Sequence, residues 1–352
     1  QMNLRSLWRK ADSLRGCLHH LRTHVGRRQV EWDVEDPFRM NSDYLVEKNE
    51  FVADEAKLLS SKSFRRLKDK TQVFTNPKNP FIRTRLDHVL EVVAVSVITS
   101  DMLGLNTDLV RAAAIGHDMG HVPFGHPGEH WMAKAMQKPM FCHEVMGPVL
   151  AQTVERSGRG LNLTHETLEA MMRHSGNMAK EGMSAEAWTL RFTDKFTYIF
   201  HDINDIVGRM RYPVRDELTQ IANEFGENQR QRTSTAIAGL VLESSELKKV
   251  SFEVSELGQK FKKLRDLMYE VYPRVTRQDV GTSLEPVLNL LTTLGIGYPF
   301  LLLTLMTDRD IILLNSESNL DMQAFNKTSV CEVVPHLGKI GKVDLCDPCL
   351  DW

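Results

Sequence analysis

Cysteine is scarce in this chain, with five residues in 352. That is too few for the disulfide framework of a secreted protein and fits a reducing compartment. Long apolar runs are missing as well. The most hydrophobic stretch, Pro286 to Met306, is broken by Asn289, by Thr and Gly residues and by Pro299. It falls short of the roughly 20 uninterrupted apolar residues of a membrane-spanning helix, and reads as one or two buried helices. Charge of one sign is also lacking. A formal net charge of −2 leaves no global basic field to advertise a nucleic-acid partner. The single basic cluster, Arg22 to Arg28, reads as a solvated helix face. Aromatic residues reach only 7%, and no alternating β-branched run is bounded by hairpin turns, so strands are not expected. Charges interrupt QMNLRSLWRKADSLRG before any apolar segment develops. No secretory leader is expected from it, and the expected compartment is cytoplasmic.

What the chain does have is helical periodicity. Apolar positions recur at three and four residues over Val89 to Ile98, Leu105 to Ile115, Leu168 to Arg173 and Trp188 to Val207, the spacing of helices buried on one face. Turn-forming residues separate these segments at Asn76 to Pro80, Pro123 to Pro127, Ser157 to Gly160 and Ser175 to Gly182. An all-α fold is expected, with an N-terminal segment over 1–60, a core over 61–212 and a helical C-terminal extension and tail over 213–352. The charged stretch Arg215 to Arg277 suits a separate layer or an oligomer surface. The last forty residues lose the helical period.

The densest chemistry lies in HDMGHVPFGHPGEH, which follows an apolar helix that Asn106 is placed to cap. His117, Asp118, His121, His126 and Glu129 fall within 13 residues. A charged Asp at the buried end of that helix costs several kcal/mol unless it is paired or ligated. A divalent ion meets the need, because imidazole and carboxylate together suit Zn, Mn, Fe and Co and, less well, Mg. His117 and His121, four apart, would share one helical face before Pro123 ends the helix. Core histidines satisfied by backbone carbonyls are the alternative, and the commoner fate of any single His.

Further ligands must come from elsewhere. His88 opens an apolar helix in RTRLDHVLEVV, just after Arg83 and Arg85, and guanidinium groups there suit phosphate oxygens. Asp194 sits among Leu190, Phe192, Phe196 and Ile199, poor company for a solvated carboxylate. Tyr198 and Asp202 follow it at four and eight, on one stripe, with Lys195 adjacent.

The order His88, His117-Asp118, Asp194 resembles that of HD-domain phosphohydrolases. More narrowly, the chain is similar to the deoxyguanosine triphosphate triphosphohydrolase family and its dNTP triphosphohydrolase relatives. The resemblance runs through SKSFRRLKDKTQVF (Ser61 to Phe74), RTRLDHVLEV (Arg83 to Val92), AAAIGHDMGHVPFGHPGE (Ala112 to Glu129), FCHE (Phe141 to Glu144) and DKFTYIFHDINDI (Asp194 to Ile206). It implies a helical fold, a divalent metal (Mn, Mg, Co, Fe or Ni) on His88, His117, Asp118 and Asp194, and cleavage of a dNTP to deoxynucleoside and inorganic triphosphate. It also implies that His126, supported by Glu129, acts beside the α-phosphate. His121, His143, Lys195 and Arg85 would bind phosphates, while Gln72, Tyr198 and Asp202 would contact the deoxyribose. A homo-oligomer, dimer, tetramer or hexamer, is implied as well.

Two departures stand out. Glu144 follows His143 where the family often has Asn, and Leu302 stands at a position where bacterial members commonly carry Tyr upstream of Met306 to Arg309. Guanine selectivity is therefore not implied. Two other readings use the same ligands: a 5′-nucleotidase or phosphodiesterase of HD type, and a non-catalytic dNTP sensor. A lesser zinc site is suggested by the C-x4-H-x9-C-x2-C spacing of Cys331, His336, Cys346 and Cys349.

Overall fold

A computed structural model describes residues 3–28, 49–75, 77–277 and 279–339. Side-chain caps mark where its helices begin. Asn3 opens α1 (Leu4–Asp12) and Asn49 opens α2 (Glu50–Ser60), each accepting a first-turn amide. Ser61 does the same for a short α3 (Lys62–Arg65). Thr84 and Asp87 form a reciprocal capping box at the head of α4 (Arg85–Leu103), and Gly104, at φ 80°, closes it in the left-handed region. Asn106 accepts the amides of Asp108 and Leu109 and starts α5 (Thr107–Gly116), as expected.

The chain continues through α6 (Gly125–Ala135), α7 (His143–Val149), the irregular turn α8 (Glu155–Gly158), α9 (His165–Arg173) and α10 (Ala185–Ile203). A second stretch holds α11 (Asp216–Phe225), α12 (Gln229–Leu247) and α13 (Glu256–Val275). The last described helices are α14 (Gly281–Thr293), α15 (Pro299–Leu305), α16 (Asp308–Ser316) and α17 (Met322–Phe325). Among the described residues no strand forms; there are only isolated bridges, Arg28 with Thr164 and Thr71 with Thr84.

Helix α4 packs on α5 and α10, α5 on α2 and α9, and α9 on α7 and α10. Leu58, Val89, Val92, Ala113, Ala114, Met171 and Leu190 fill the space between them. A second core lies where α11 to α13 cover α10. There Phe196 meets Phe252 and Phe261 edge-to-face at 5.2 and 5.0 Å. A third joins α6 and α7 to α14, α15 and α16 through Met132, Val145, Leu284, Leu291, Leu302 and Ile311. The C-terminal helices are thus built against the helices that carry the histidines.

The apolar stretch Pro286 to Met306 is divided between α14 and α15, with Pro299 at the first turn of α15 where its missing N–H costs nothing. No described helix is long and apolar enough to cross a membrane. The segment Arg22 to Arg27 is extended, not a helix face. Two arginines here are paired: exposed Arg27 with Glu166, and Arg28, whose side chain is buried, with Glu50 and Asp54. Of the suggested zinc ligands, Cys346 and Cys349 lie outside the described residues, and Cys331 and His336 are half-buried.

Candidate metal centre

The α5 helix ends at Gly116, one residue before the first histidine, rather than running on to Pro123. Residues 117–124 instead form tight turns that lead into α6. The expected helical face shared by His117 and His121 is therefore a compact turn, and His126 and Glu129 belong to the first turns of α6. Gly120 makes this turn possible. A Cβ there would stand 2.0 Å from the carbonyl oxygen of His143, so only glycine lets the head of α7 approach closely enough to place His143 beside His121.

Four donors converge where α4, α5 and α10 meet. His88 Nε2 is 3.1 Å from Asp194 Oδ1 and 3.8 Å from Asp118 Oδ2. His117 Nε2 is 3.5 Å from Asp118 Oδ1 and 3.7 Å from Asp194 Oδ1. Ligands held about 2.0–2.2 Å from one ion stand about 3–4 Å apart, so these spacings suit a single cation. The donor set agrees. His117 Nδ1 lies 2.6 Å from the carbonyl oxygen of Ala114, so that nitrogen donates and Nε2 carries the lone pair. Nε2 is buried without a hydrogen-bond partner and faces two carboxylates, an arrangement that a cation satisfies.

A second tier surrounds these donors. Glu129 collects three imidazoles: His126 Nδ1 donates to Oε2 at 2.9 Å, and the Nδ1 atoms of His121 and His143 lie 2.8 and 2.9 Å from Oε1. The last two are close charge contacts not aligned as hydrogen bonds. The rings of His121 and His143 stack at 3.6 Å. Arg85 donates to Asp118 Oδ2 at 2.8 Å and to the carbonyl of Thr71 at 3.0 Å. Arg83 is different. It is buried on Glu91, Asp202 and Asp205 and does not line the cavity that the histidines face.

Electrostatics follow from burial set against these contacts. Burial opposes ionisation of Asp118, yet His117, Arg85 and His121 hold its carboxyl well below the usual range. Asp194 is likewise held at about 2 against burial, by His88 and His117. Burial, then Arg85 and His143, push His121 down to about 4. His143 resists burial and is lifted to about 9 by Glu144 and Glu129. Burial, with Arg191 and Arg265, brings Lys195 down to about 8. Burial raises Asp202 to about 6 despite Arg83 and a 2.7 Å hydrogen bond from Tyr272.

These groups open onto one cavity of about 1430 Å³. Gln72, Arg85, His88, Asp118, His121, His126, Glu129, His143, Asp194, Lys195, Tyr198 and Asp202 line it, and His117 lies behind. Tyr198 and Asp202 stand on the α13 side, where Tyr198 meets Tyr269 at 2.7 Å. The sequence reading missed His174, Tyr269 and Tyr272, which also line the cavity. It missed too that Asp308 holds the loop beneath it.

The family model for the HD domain matches residues 85–199. That span runs from α4 into α10 and takes in His88, His117, Asp118 and Asp194. Over these residues, about a third of the chain, the protein is similar to the HD domain. Over a longer stretch, the chain is similar to proteins called deoxyguanosinetriphosphate triphosphohydrolase-like. The one from Clostridium tetani is 34% identical over 228 residues, 62% of this chain and 65% of its own length. The one from Caldanaerobacter subterraneus is 34% identical over 224 residues, 63% of this chain and 65% of its own. A third, from Clostridium perfringens strain 13, is 36% identical over 227 residues, covering 62% and 66%. The alignments thus span 65% or so of the length of these relatives.

Proposed function

We propose that the chain hydrolyses deoxynucleoside triphosphates to deoxynucleoside and inorganic triphosphate, with a divalent ion (Mn, Mg, Co, Fe or Ni) on His88, His117, Asp118 and Asp194. The observation that carries this reading is the cavity itself. A cluster of buried imidazoles, Arg85 and Lys195 lines it together with Tyr198, Asp202, Tyr269 and Tyr272. Such a cavity suits a molecule with an anionic end and a sugar-sized polar end, and the names of the relatives are of the same kind.

The ion supplies Lewis-acid activation of water and of a phosphate oxygen. The chain's own groups do the rest. His126 is exposed at the cavity with Nδ1 tied to Glu129, so its Nε2 faces outward to protonate the 5′ oxygen as it leaves the α-phosphorus. Glu129 stabilises the imidazolium. His121, His143, Arg85 and Lys195 spread the charge of the triphosphate tail. Gln72, whose side-chain oxygen is buried without a partner, joins Tyr198 and Asp202 at the deoxyribose, where Tyr198 leaves no room for a 2′-hydroxyl.

Incubation with each dNTP and rNTP, in Mn, Mg or Co, followed by ion-exchange separation tests this. Deoxynucleoside and triphosphate are the expected products. Monophosphate with pyrophosphate, or release of orthophosphate from a monophosphate, would overturn it.

A further inference from the structure

Arg83 and Arg85 are two residues apart and serve different parts of the cavity. Arg85 donates to Asp118 at the candidate metal site. Arg83 donates to Asp202, which lines the cavity with Tyr198, Tyr269 and Tyr272. Arg83 itself is buried at 7% exposure and is not part of that lining. Its three nitrogens each donate to a different carboxylate: to Glu91 Oε2 at 2.7 Å, to Asp205 Oδ2 at 3.3 Å and to Asp202 Oδ1. A planar fork of five N–H groups spans that width, and the single nitrogen of a lysine does not.

The three carboxylates do not depend on Arg83 equally. Glu91 also meets His201 at 2.7 Å, and Asp205 also meets Arg209. Among the described residues, Asp202 has an ion pair with Arg83 alone. Its second oxygen, Oδ2, accepts the Tyr272 hydroxyl at 2.7 Å. An ionised carboxylate only accepts, with two lone-pair sites on each oxygen, so Oδ2 keeps one site for a donor arriving in the cavity. We propose that Arg83 is a positioning residue for sugar recognition, fixing Asp202 as an acceptor aimed at the free hydroxyl of a bound deoxynucleotide.

Charge supports this. Asp202 and Asp205 are buried at 2% and 3% exposure, with Glu91 close by. Burial and these like charges favour a proton on Asp202, and Arg83, followed by the Tyr272 hydroxyl, is what opposes them. Loss of Arg83 therefore turns an acceptor into a donor and frees the side chain to move. The inference rests on the reading of the cavity as a dNTP site. A deoxynucleotide has one free sugar hydroxyl, on its 3′ carbon, and a dideoxynucleotide has none. Arg83 acting through Asp202 thus affects only the first of these substrates, whereas a merely structural Arg83 affects both alike.

Steady-state kinetics of the full chain in Mn, with a dNTP and the matching 2′,3′-dideoxynucleotide, is the experiment. The wild type is expected to prefer the dNTP by about 10- to 100-fold in kcat/KM. Arg83→Gln should lose most of that preference through a higher KM for the dNTP, while the dideoxynucleotide changes far less. Arg83→Lys, which keeps the charge without the fork, should fall between the two. It also keeps the test open if circular dichroism shows Arg83→Gln to be misfolded. Asp202→Asn should match Arg83→Gln, and the double variant should lose no more than either alone. A wild-type preference kept in every folded Arg83 variant overturns the inference, as does an equal loss on both substrates. Equal use of the two nucleotides by the wild type also overturns it, leaving the dNTP reading intact. A wild type that cleaves no dNTP overturns that reading, and this inference with it.

Discussion

Asp308 Oδ1 accepts the backbone N–H of Phe124 at 2.8 Å, joining positions 184 residues apart. Its other oxygen accepts the N–H of Thr71 at 3.0 Å and the Thr71 hydroxyl. One carboxylate at the head of α16 therefore ties down two loops. Thr71 passes its carbonyl to Arg85, which reaches Asp118. Phe124 holds a left-handed φ of 67° just before His126, a strained conformation for a residue with a side chain. Lys70 reinforces the link by donating to the carbonyls of His121 and Thr304. Asp308→Ala is expected to lower kcat/KM by roughly 10- to 100-fold through misplacement of groups it does not touch, and to cost about 1–3 kcal/mol of stability. Asp308→Asn, which keeps one acceptor, should recover part of both. Steady-state kinetics and urea unfolding read this out; kcat/KM within twofold of wild type in Asp308→Ala would remove Asp308 from any positioning role.

Glu129 and His126 separate two functions. His126 reaches neither Asp118 nor Asp194 and touches Glu129 alone among the charged groups here. His126→Ala should therefore keep its metal content while losing about 10²- to 10⁴-fold in kcat. Glu129 contacts His121, His126 and His143, so Glu129→Gln should lose at least as much. It should also raise KM, because the phosphate-facing imidazoles lose their orientation. Elemental analysis beside single-turnover kinetics checks both. Full turnover in His126→Ala would end its role as the acid.

The convergence of the candidate ligands is legible in part because their neighbours are wrong for solvated groups. Asp194 among Phe192, Phe196 and Ile199 asks for a buried partner, and His117-Asp118 follows a wholly apolar helix. The helical fold was legible for a related reason: apolar spacing and caps such as Asn106 agree. What stayed hidden depends on contacts distant in sequence. His174 is one imidazole after an amphipathic helix, and only the packing of α9 against α5 and α7 brings it to His117 and His143. Asp308 reads locally as half of a turn before α16. Its service to Thr71 and Phe124 needs the docking of the C-terminal helices. The helix break after Gly116 is not legible locally, where Pro123 is the evident stop, and it depends on Gly120. The close approach of Gly120 to α7 lies outside its own neighbourhood in the sequence.

Removal of metal should weaken the fold and not only the chemistry. Asp118, Asp194, His88 and His117 are all buried, and an ion that binds only the native arrangement stabilises it by about 2.7 kcal/mol at a hundredfold excess over Kd. Metal-free protein should thus melt about 4 °C below protein saturated with Mn. Asp194→Ala should abolish the difference. Calorimetry with and without chelator decides, and coincident transitions in the wild type would count against metal at this site.

Glu243 gives a pH-dependent test far from the site. Its buried carboxylate accepts from the Ser251 hydroxyl at 2.6 Å and from the amides of Glu253, Val254 and Ser255 at 2.7, 3.0 and 2.9 Å. These contacts fold the loop between α12 and α13. Burial works against its ionisation, but the hydroxyls of Ser251 and Ser255 and the loop amides bring the carboxyl down to about 2, from 4.5 for a free Glu. The native state therefore favours the charged form. Its contribution is complete above about pH 4.5 and drains away as pH falls toward 2. Glu243→Gln should cost about 1–2 kcal/mol at pH 7, and the gap between variant and wild type should narrow steadily as the pH is lowered from 5 to 3. Urea titrations at pH 7, 5 and 3 measure that gap. A gap of constant size across the three would mean that Glu243 acts by shape, with its charge contributing nothing.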